Sequence, residues 1–449
     1  MILTKITKLQ NLRIRNLFKY FIFIAVIFTE SLMGHSTLPK YYTKTLENGL
    51  EVVAIPLHNS SNVITTDIFY KVGSRNEVMG KSGIAHMLEH MNFKSSKNLK
   101  AGEFDQIVKD FGGVDNASTG FDYTNYFIKS SSKNLEKSLE LFAELMKNLT
   151  LKDKEFQPER NVVEEERRWR TDNSPVGYLQ FRLFNNAYIY HPYHWTPIGF
   201  MSDIKSWDIQ DIKDFHNIYY QPKNAVIVVA GDINEEQVFK YAHKYFKKIK
   251  NKEEIPKVHA KEPKQDGAKL VNIKKDSQVQ IISIAYHIPN FESKDQVALS
   301  ALSELLSDGK SSILYKNLVD SKKYVNSVYA YNMELKDPGL FVFLAVCNPN
   351  IKAKDVGDEF LKIIEQIKEK GVTQEELDKI KINTRASFIF SLEDSSSVAS
   401  LFGSYFARGD IKPLLTYEDD IDKLTSKDIV EVINKYLIPS NSTTVILKK

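Results

Sequence analysis

Two histidines and one glutamate lie within the five residues His86-Met87-Leu88-Glu89-His90. On a helix, residues four apart project from the same face, so His86 and His90 can bind one metal ion together. Glu89 lies one residue from that face and can reach a water molecule at the metal without being a ligand. This residue order is the inverse of the commoner zinc-protease motif. The spacing therefore predicts a metal centre, with a chance match as the alternative for so short a pattern.

A further carboxylate is needed to complete such a centre, because catalytic zinc takes three protein ligands and leaves one position for water. Residues 158–169 predict a helix, and Pro158 suits its first turn. Glu159 and Glu166 are two helical turns apart and share one face. Glu164 and Glu165 are interpreted as surface residues paired with the arginines that follow. Glu166 is the candidate third ligand.

The segments around the motif predict the elements that position it. Asn48-Gly49 lies between two segments with strand character and is typical of a hairpin turn. Residues 63–72 predict a second strand, and Ser82 is a candidate cap for the motif helix. Residues 104–111 predict a short helix that ends at two glycines.

The first 36 residues differ in composition from the rest of the chain. Five basic residues precede the apolar residues 20–28, a run too short to span a bilayer. A basic region, a short apolar core and small residues before Thr37 indicate a secretory signal, with cleavage predicted after Ser36. The signal predicts a periplasmic or other extracytoplasmic location. An uncleaved membrane anchor is the alternative, and it would be the only contact of the chain with a membrane.

Composition and charge exclude several classes of protein. With 449 residues, 42% of them hydrophobic and 26% charged, the chain is that of a globular protein with two or more domains. The first 36 residues contain five basic residues and one acidic residue, so the remaining chain has a formal net charge of 0 rather than +4. Nothing in this balance favours nucleic-acid binding. Cys347 is the single cysteine, which excludes an internal disulfide.

Glu166 follows His90 by 76 residues, and with this spacing the chain resembles the pitrilysin/insulinase metallopeptidases, particularly the branch of the mitochondrial processing peptidase. The resemblance extends from about residue 41 to the end of the chain. Other segments that match the family are residues 73–77, 112–113, 116–117, 159–160, 191–193, 220–224 and 229–232.

The resemblance implies a role for each candidate residue. Glu89 would be the general base, and Glu159 would orient a histidine, although a plain surface charge is the alternative for Glu159. Residues 114–119 would form an exposed edge strand that pairs with the backbone of peptide substrates, with Asn116 and Ala117 contacting the peptide. The implied ligands of one Zn²⁺ ion per chain are His86, His90 and Glu166.

The fold implied by the resemblance is α+β, with two homologous half-domains that enclose a cavity. Each half would be a largely antiparallel sheet with helices packed on one face. The helix predicted at residues 297–306 lies where the first half has its metal helix but contains no histidine. The predicted segments are a signal peptide or membrane anchor at 1–36, an N-terminal zinc-binding peptidase domain at 37–249, a linker at 250–267 and a C-terminal domain without a metal site at 268–449.

One departure from the family concerns the second half. Self-sufficient members carry an arginine and, seven residues later, a tyrosine, which bind the substrate carbonyl. An alignment without gaps places Val319 and Asn326 at these two positions. We therefore expect a homologous partner subunit to supply the arginine and tyrosine. The alternative is a structural or assembly subunit that retains zinc without turnover.

Overall fold

Two β-sheets, one from each half of the chain, organise the computed structural model, which describes residues 37–448. The predicted signal segment, residues 1–36, lies outside the described residues. The strands of the first sheet are β1 Tyr42–Thr45, β2 Glu51–Pro56, β3 Val63–Tyr70, β4 Val114–Thr119, β5 Thr124–Ser131 and β6 Ala225–Gly231. Those of the second are β7 Lys269–Lys274, β8 Ile281–His287, β9 Val325–Met333, β10 Leu340–Cys347 and β11 Ser442–Lys448.

The two sheets repeat one topology. The first has the order β1-β2-β6-β3-β5-β4, and the second has the order β7-β11-β8-β10-β9. In each sheet one pair is parallel, β2 with β6 and β7 with β11, and the other pairs are antiparallel. Strand β7 thus corresponds to β2, and β9 corresponds to the edge strand β4. The predicted class, α+β with two homologous halves, is confirmed.

Fourteen helices among the described residues surround these sheets. Those of the first half are α1 Ile84–Asn92, α2 Glu103–Asp110, α3 Leu135–Asn148, α4 Asp153–Arg167, α5 Pro175–Ala187, α6 Met201–Ser206, α7 Ile209–Tyr219 and α8 Glu235–Phe246. Those of the second half are α9 Asp295–Ser307, α10 Ala353–Lys370, α11 Gln374–Phe390, α12 Ser395–Arg408, α13 Lys412–Lys423 and α14 Ser426–Tyr436. No helix within residues 37–448 is long and apolar enough to span a membrane.

The predicted hairpin and the helix at residues 104–111 are confirmed. Strands β1 and β2 pair through a turn in which Gly49 has a φ of +85°, a conformation that glycine adopts without strain. Helix α2 ends just before the glycine pair, where Gly112 has a φ of +76°. Both local patterns therefore hold in the folded chain.

One helix from each half packs against the sheet of the other half. Helix α5, from the first half, packs on β8 and β11, and α12, from the second half, packs on β3 and β6. Apolar side chains from both halves form a common core around α5, for example Leu183 and Phe184 with Ala285 and Val342. Helices thus cover both faces of each sheet, which adds to the predicted arrangement of helices on one face. A cavity of about 610 Å³ lies between α12 and the first sheet.

Residues 250–267, the predicted linker, contain no regular helix or strand. The carboxylate of Glu262 accepts hydrogen bonds from the backbone N–H groups of Ile189, Tyr190 and His191. This segment is therefore held against the end of the first half. The domain boundaries themselves stay predictions.

Asp337 of the second half forms an ion cluster with Arg75 and His191 of the first half. Replacing Asp337 with asparagine is therefore expected to destabilise the fold. Asp337 accepts hydrogen bonds from Arg75 and from His191, whose Nε2 lies 3.0 Å away. Burial would raise the pKa of Asp337, but these hydrogen bonds lower it to about 2. A carboxylate with a depressed pKa contributes stability above its unfolded pKa of 3.8 and loses it as the pH falls toward 2.

We therefore expect wild type to exceed D337N by about 2 kcal/mol in the free energy of unfolding at neutral pH, measured by urea titration. The difference should shrink below pH 4. The matched control is D358N, which removes an exposed pair with Lys354 and should cost less than about 0.5 kcal/mol. An equal effect of the two substitutions would contradict this role of Asp337.

Candidate metal centre

Helix α1 carries the His-x-x-Glu-His motif and is anchored by its buried face. Ile84, Met87, Leu88 and Met91 point into the first core. Gly83, at the N-cap, has a φ of +85°, and a Cβ there would lie 2.6 Å from the carbonyl oxygen of Ile198. The sequence of this turn therefore fixes where the helix begins and which way the histidines point.

The predicted capping by Ser82 is wrong. Ser82 instead donates its backbone N–H and its hydroxyl to Asp203. The buried carboxylate of Glu77 accepts the free N–H groups of Gly83 and Ala85, each at 2.9 Å. Burial raises the pKa of Glu77 to about 8. The carboxylate of Glu77, which lies outside the helix, thus accepts the hydrogen bonds of the first backbone N–H groups, the role predicted for Ser82.

His86, His90 and Glu166 converge on one point. Glu166 Oε2 lies 3.6 Å from His86 Nε2 and 3.4 Å from His90 Nε2. Their donor atoms all lie within 4.8 Å of one another. Among the described residues, this is the one group of three such side chains that could hold a metal ion, and it lies in the first half.

The donor set fits zinc in type and spacing. Two imidazole nitrogens and one carboxylate oxygen form a ligand set that catalytic zinc sites use. Two ligands bound at 2.0–2.1 Å to a tetrahedral ion are separated by about 3.4 Å, which matches the separations between Glu166 Oε2 and the two imidazoles. Three protein donors leave a fourth position open.

The ring nitrogen of His90 that faces away from Glu166, Nδ1, is held by Glu159. His90 Nδ1 lies 2.8 Å from Glu159 Oε1, and Glu159 is also paired with Lys94. Burial would lower the pKa of His90, but the hydrogen bonds to Glu159 and Glu166 raise it to about 9. Burial would raise the pKa of Glu159, but its hydrogen bonds to His90 and Lys94 lower it. Glu159 contacts a histidine in the way the family resemblance implies.

Replacing Glu159 with glutamine is expected to weaken zinc binding by about 10–100-fold, because a residue that orients a ligating histidine commonly contributes that much. The measurement is a zinc titration against a competing chelator. The matched control is E165Q on the same helix, where the side chain is 72% exposed. Equal zinc affinities for E159Q and E165Q would favour the surface-charge alternative.

Glu89 lies beside the cluster and is held by the edge strand. The hydroxyl of Thr119, in β4, donates to Glu89 Oε2. Burial raises the pKa of Glu89, and the hydrogen bond from Thr119 opposes this shift. A partly desolvated carboxylate with a raised pKa is suited to accept a proton near neutral pH.

Helix α4, which carries Glu166, begins five residues before the predicted start at Pro158. Its first residue is Asp153, and Pro158 lies inside the helix. The fully buried Phe156 anchors the first turn of the helix. Acidic side chains in this turn also stabilise the helix, because they lie at the positive end of its dipole. Glu164 and Glu165 both pair with Arg168, as interpreted from the sequence, but only Glu165 is an exposed surface residue, because the side chain of Glu164 is 14% exposed.

The predicted peptide-binding residues lie on an edge strand. Strand β4 pairs with β5 on one side only. The N–H of Ala117 donates to the side chain of Asn116 at 2.9 Å. Both residues line the same cavity of about 750 Å³ as the metal cluster. The side chains that line this cavity all belong to the first half, from His86 to Arg170.

Val319 and Asn326 lie away from this cavity. Val319 belongs to a π-helical turn, Tyr315–Ser321, and packs against the second core. Asn326 is exposed on β9, the edge strand of the second sheet. Neither is among the residues that line the metal cavity.

Sequence reasoning missed the contacts of three residues in or near the candidate metal centre. Glu77 caps α1, Thr119 holds Glu89, and Arg170 lies 3.0 Å from Glu166 Oε1. Glu77 belongs to a segment that matches the family, but its sequence position does not predict that it caps α1. The spacing of Arg170, four residues after Glu166 on a helix, is the one local signal that pointed to a contact.

Comparison with protein families gives two matches that together cover most of the chain. A family model described as insulinase (peptidase family M16) matches residues 52–194, which contain the metal cluster. A model described as the peptidase M16 inactive domain matches residues 206–384.

Individual relatives extend over nearly the whole chain. The zinc protease PqqE of Helicobacter pylori is 56% identical over 421 residues, 93% of this chain and 95% of that protein. The crystal structure of a protease from Helicobacter pylori superposes with a TM-score of 0.90 at 56% identity, covering 92% of this chain and 100% of that one. A probable mitochondrial-processing peptidase subunit beta of Arabidopsis thaliana is 25% identical, covering 89% of this chain and 76% of that protein.

Proposed function

Because the chain belongs to the insulinase peptidase family M16, we propose that it is a zinc-dependent endopeptidase that cleaves unstructured peptides. The observation that carries this proposal is the convergence of His86, His90 and Glu166, with Glu89 beside them and a free strand edge in the same cavity. Its 56% identity to a relative named a zinc protease supports the same activity.

The proposed ligands are His86, His90 and Glu166, and the proposed base is Glu89. Zinc, when bound, polarises the peptide carbonyl and lowers the pKa of water near neutrality. Glu89 accepts a proton from the attacking water and returns it to the nitrogen of the leaving amine. Thr119 keeps the Glu89 carboxylate in place during both transfers. Glu159 keeps the ring of His90 turned toward Glu166.

The substrate class follows from the strand edge. A peptide can pair with β4 only if its own backbone is extended and unpaired, which folded proteins do not offer. Asn116 and Ala117 are the proposed contacts, and the side chain of Asn116 must release the Ala117 N–H for a peptide carbonyl to accept it. Flexible peptides and short polypeptides are therefore the proposed substrates.

The second half supplies neither an arginine nor a tyrosine at the expected positions, Val319 and Asn326. We therefore propose that a homologous partner subunit provides these donors, since loss of a transition-state donor commonly costs about 100-fold or more in turnover. The same observation favours the second candidate function, a non-catalytic structural or assembly subunit that retains zinc. The basic and apolar N-terminal segment supports an extracytoplasmic location.

The test measures cleavage of unstructured peptides by the zinc-loaded chain, alone and with a homologous chain that carries an arginine and a tyrosine seven residues apart. We expect chelator-sensitive cleavage that increases about 100-fold with the partner. A folded protein that contains the same cleavage sequence should resist and is the matched substrate control. If peptides stay intact in both preparations while zinc is bound, the non-catalytic function is favoured.

A further inference from the structure

A guanidinium group faces the metal cavity from the side of Glu166. Arg170 lines the cavity, and its Nε lies 3.0 Å from Glu166 Oε1. The other carboxylate oxygen of Glu166, Oε2, is the one turned toward the two imidazoles. The side chain of Arg170 is 65% exposed, so it can contact a molecule that enters the cavity.

The backbone that carries Arg170 is held rigidly. After α4 the chain widens into a π-helical turn, Arg168–Asp172, a feature that often marks functional sites. The buried Arg167 bonds to Asp172 and to the carbonyl of Gly199. A Cβ on Gly177 would lie 2.0 Å from the carbonyl oxygen of Arg170, so only glycine permits this approach. These contacts fix the position of the Arg170 backbone beside the metal cavity.

The two other cationic side chains that line the cavity interact with other carboxylates. Lys94 forms an ion pair with Glu159, and the charge of Lys109 acts to lower the pKa of Asp115 on the edge strand. Arg170 is the cation next to the metal ligands.

We propose that Arg170 binds an anionic oxygen of the peptide held at the metal centre. This inference rests on the proposed peptidase function and names a substrate-binding residue for it. The oxygen is either that of the scissile carbonyl, which gains negative charge as water adds, or that of the C-terminal carboxylate of the peptide. The planar guanidinium offers several N–H donors, so Nε can hold Glu166 while the terminal nitrogens bind the substrate.

The test compares R170Q and R170K with wild type, all loaded with zinc. A phosphinic peptide, whose two oxygens imitate the tetrahedral carbon centre, is titrated by calorimetry, so the readout does not depend on turnover. We expect R170Q to bind it about 10–100-fold more weakly and to lose about 10²–10³-fold in kcat at unchanged zinc content, with R170K intermediate. The matched control is R168Q, because Arg168 pairs with Glu164 and Glu165 and does not line the metal cavity.

Peptides with a free or an amidated C-terminus separate the two sources of the oxygen. If the R170Q substitution weakens the binding of both peptides equally, Arg170 binds the oxygen of the scissile carbonyl. If it weakens the binding of the peptide with the free C-terminus alone, Arg170 binds the terminal carboxylate. Equal affinity of wild type and R170Q for the phosphinic peptide would overturn the inference alone. A loss of zinc in R170Q that accounts for the weaker binding would also overturn it, since Arg170 would then only hold Glu166. If wild type neither binds the phosphinic peptide nor cleaves peptides, the proposed function fails as well.

Discussion

Replacing Glu89 with glutamine is expected to lower peptide hydrolysis by about 10²–10⁴-fold and to leave zinc binding unchanged. Glutamine keeps the size of the side chain and an oxygen for the Thr119 hydroxyl, but it cannot accept a proton from water. The proposed ligands His86, His90 and Glu166 are untouched by the change. The measurement is kcat/KM on a flexible peptide together with the zinc content of the same preparation.

Two comparisons decide what a loss of activity in E89Q means. T119V removes the hydroxyl that holds Glu89 but keeps the base, so we expect a smaller loss than in E89Q. E103Q changes a half-buried carboxylate in the first turn of α2 that does not line the metal cavity, and it should leave the rate unchanged. Full activity in E89Q, or loss of zinc in parallel with activity, would show that Glu89 is not the base.

The motif helix could be predicted because its information is local. A spacing of four residues places His86 and His90 on one face of any helix, whatever surrounds it. The third donor was harder, because 76 residues separate Glu166 from His90 and no local rule connects them. The family resemblance supplies this long-range pairing, and the structure places the three side chains together.

What the sequence could not reveal depends on contacts between distant segments. A carboxylate that caps a helix from outside, as Glu77 does, needs the fold to bring it there, whereas Ser82 satisfied the local rule and was predicted instead. The exchange of α5 and α12 between the sheets is of the same kind. Hydrophobic periodicity shows that a helix has an apolar face but not which sheet covers it.

The early start of α4 has a similar cause. Proline is tolerated best in the first turn of a helix, and this rule placed the start at Pro158. In the structure the burial of Phe156 stabilises an additional turn before it. Burial of a phenyl ring contributes about 1.5–3 kcal/mol, comparable to the cost of about 3 kcal/mol for proline inside a helix. Tertiary packing therefore decided a boundary that propensity alone placed wrongly.

Replacing Glu166 with alanine is expected to abolish both zinc binding and hydrolysis. Among residues 37–448, the substitution removes the only carboxylate whose oxygen lies 3.4–3.6 Å from both imidazoles, so two donors remain where zinc needs at least three. The loss of affinity should exceed the about 10–100-fold expected for E159Q, because Glu166 would bind the ion itself.

The matched control for E166A is E165A, one residue earlier on the same helix. Glu165 is exposed and pairs only with Arg168 among the contacts described for it, so its loss should change neither zinc content nor rate. Zinc titration and peptide hydrolysis measured on both variants separate a ligand from a charge on the same helix. Retention of stoichiometric zinc in E166A would mean that the ion has another third ligand, and the proposed centre would have to be rebuilt around His86 and His90.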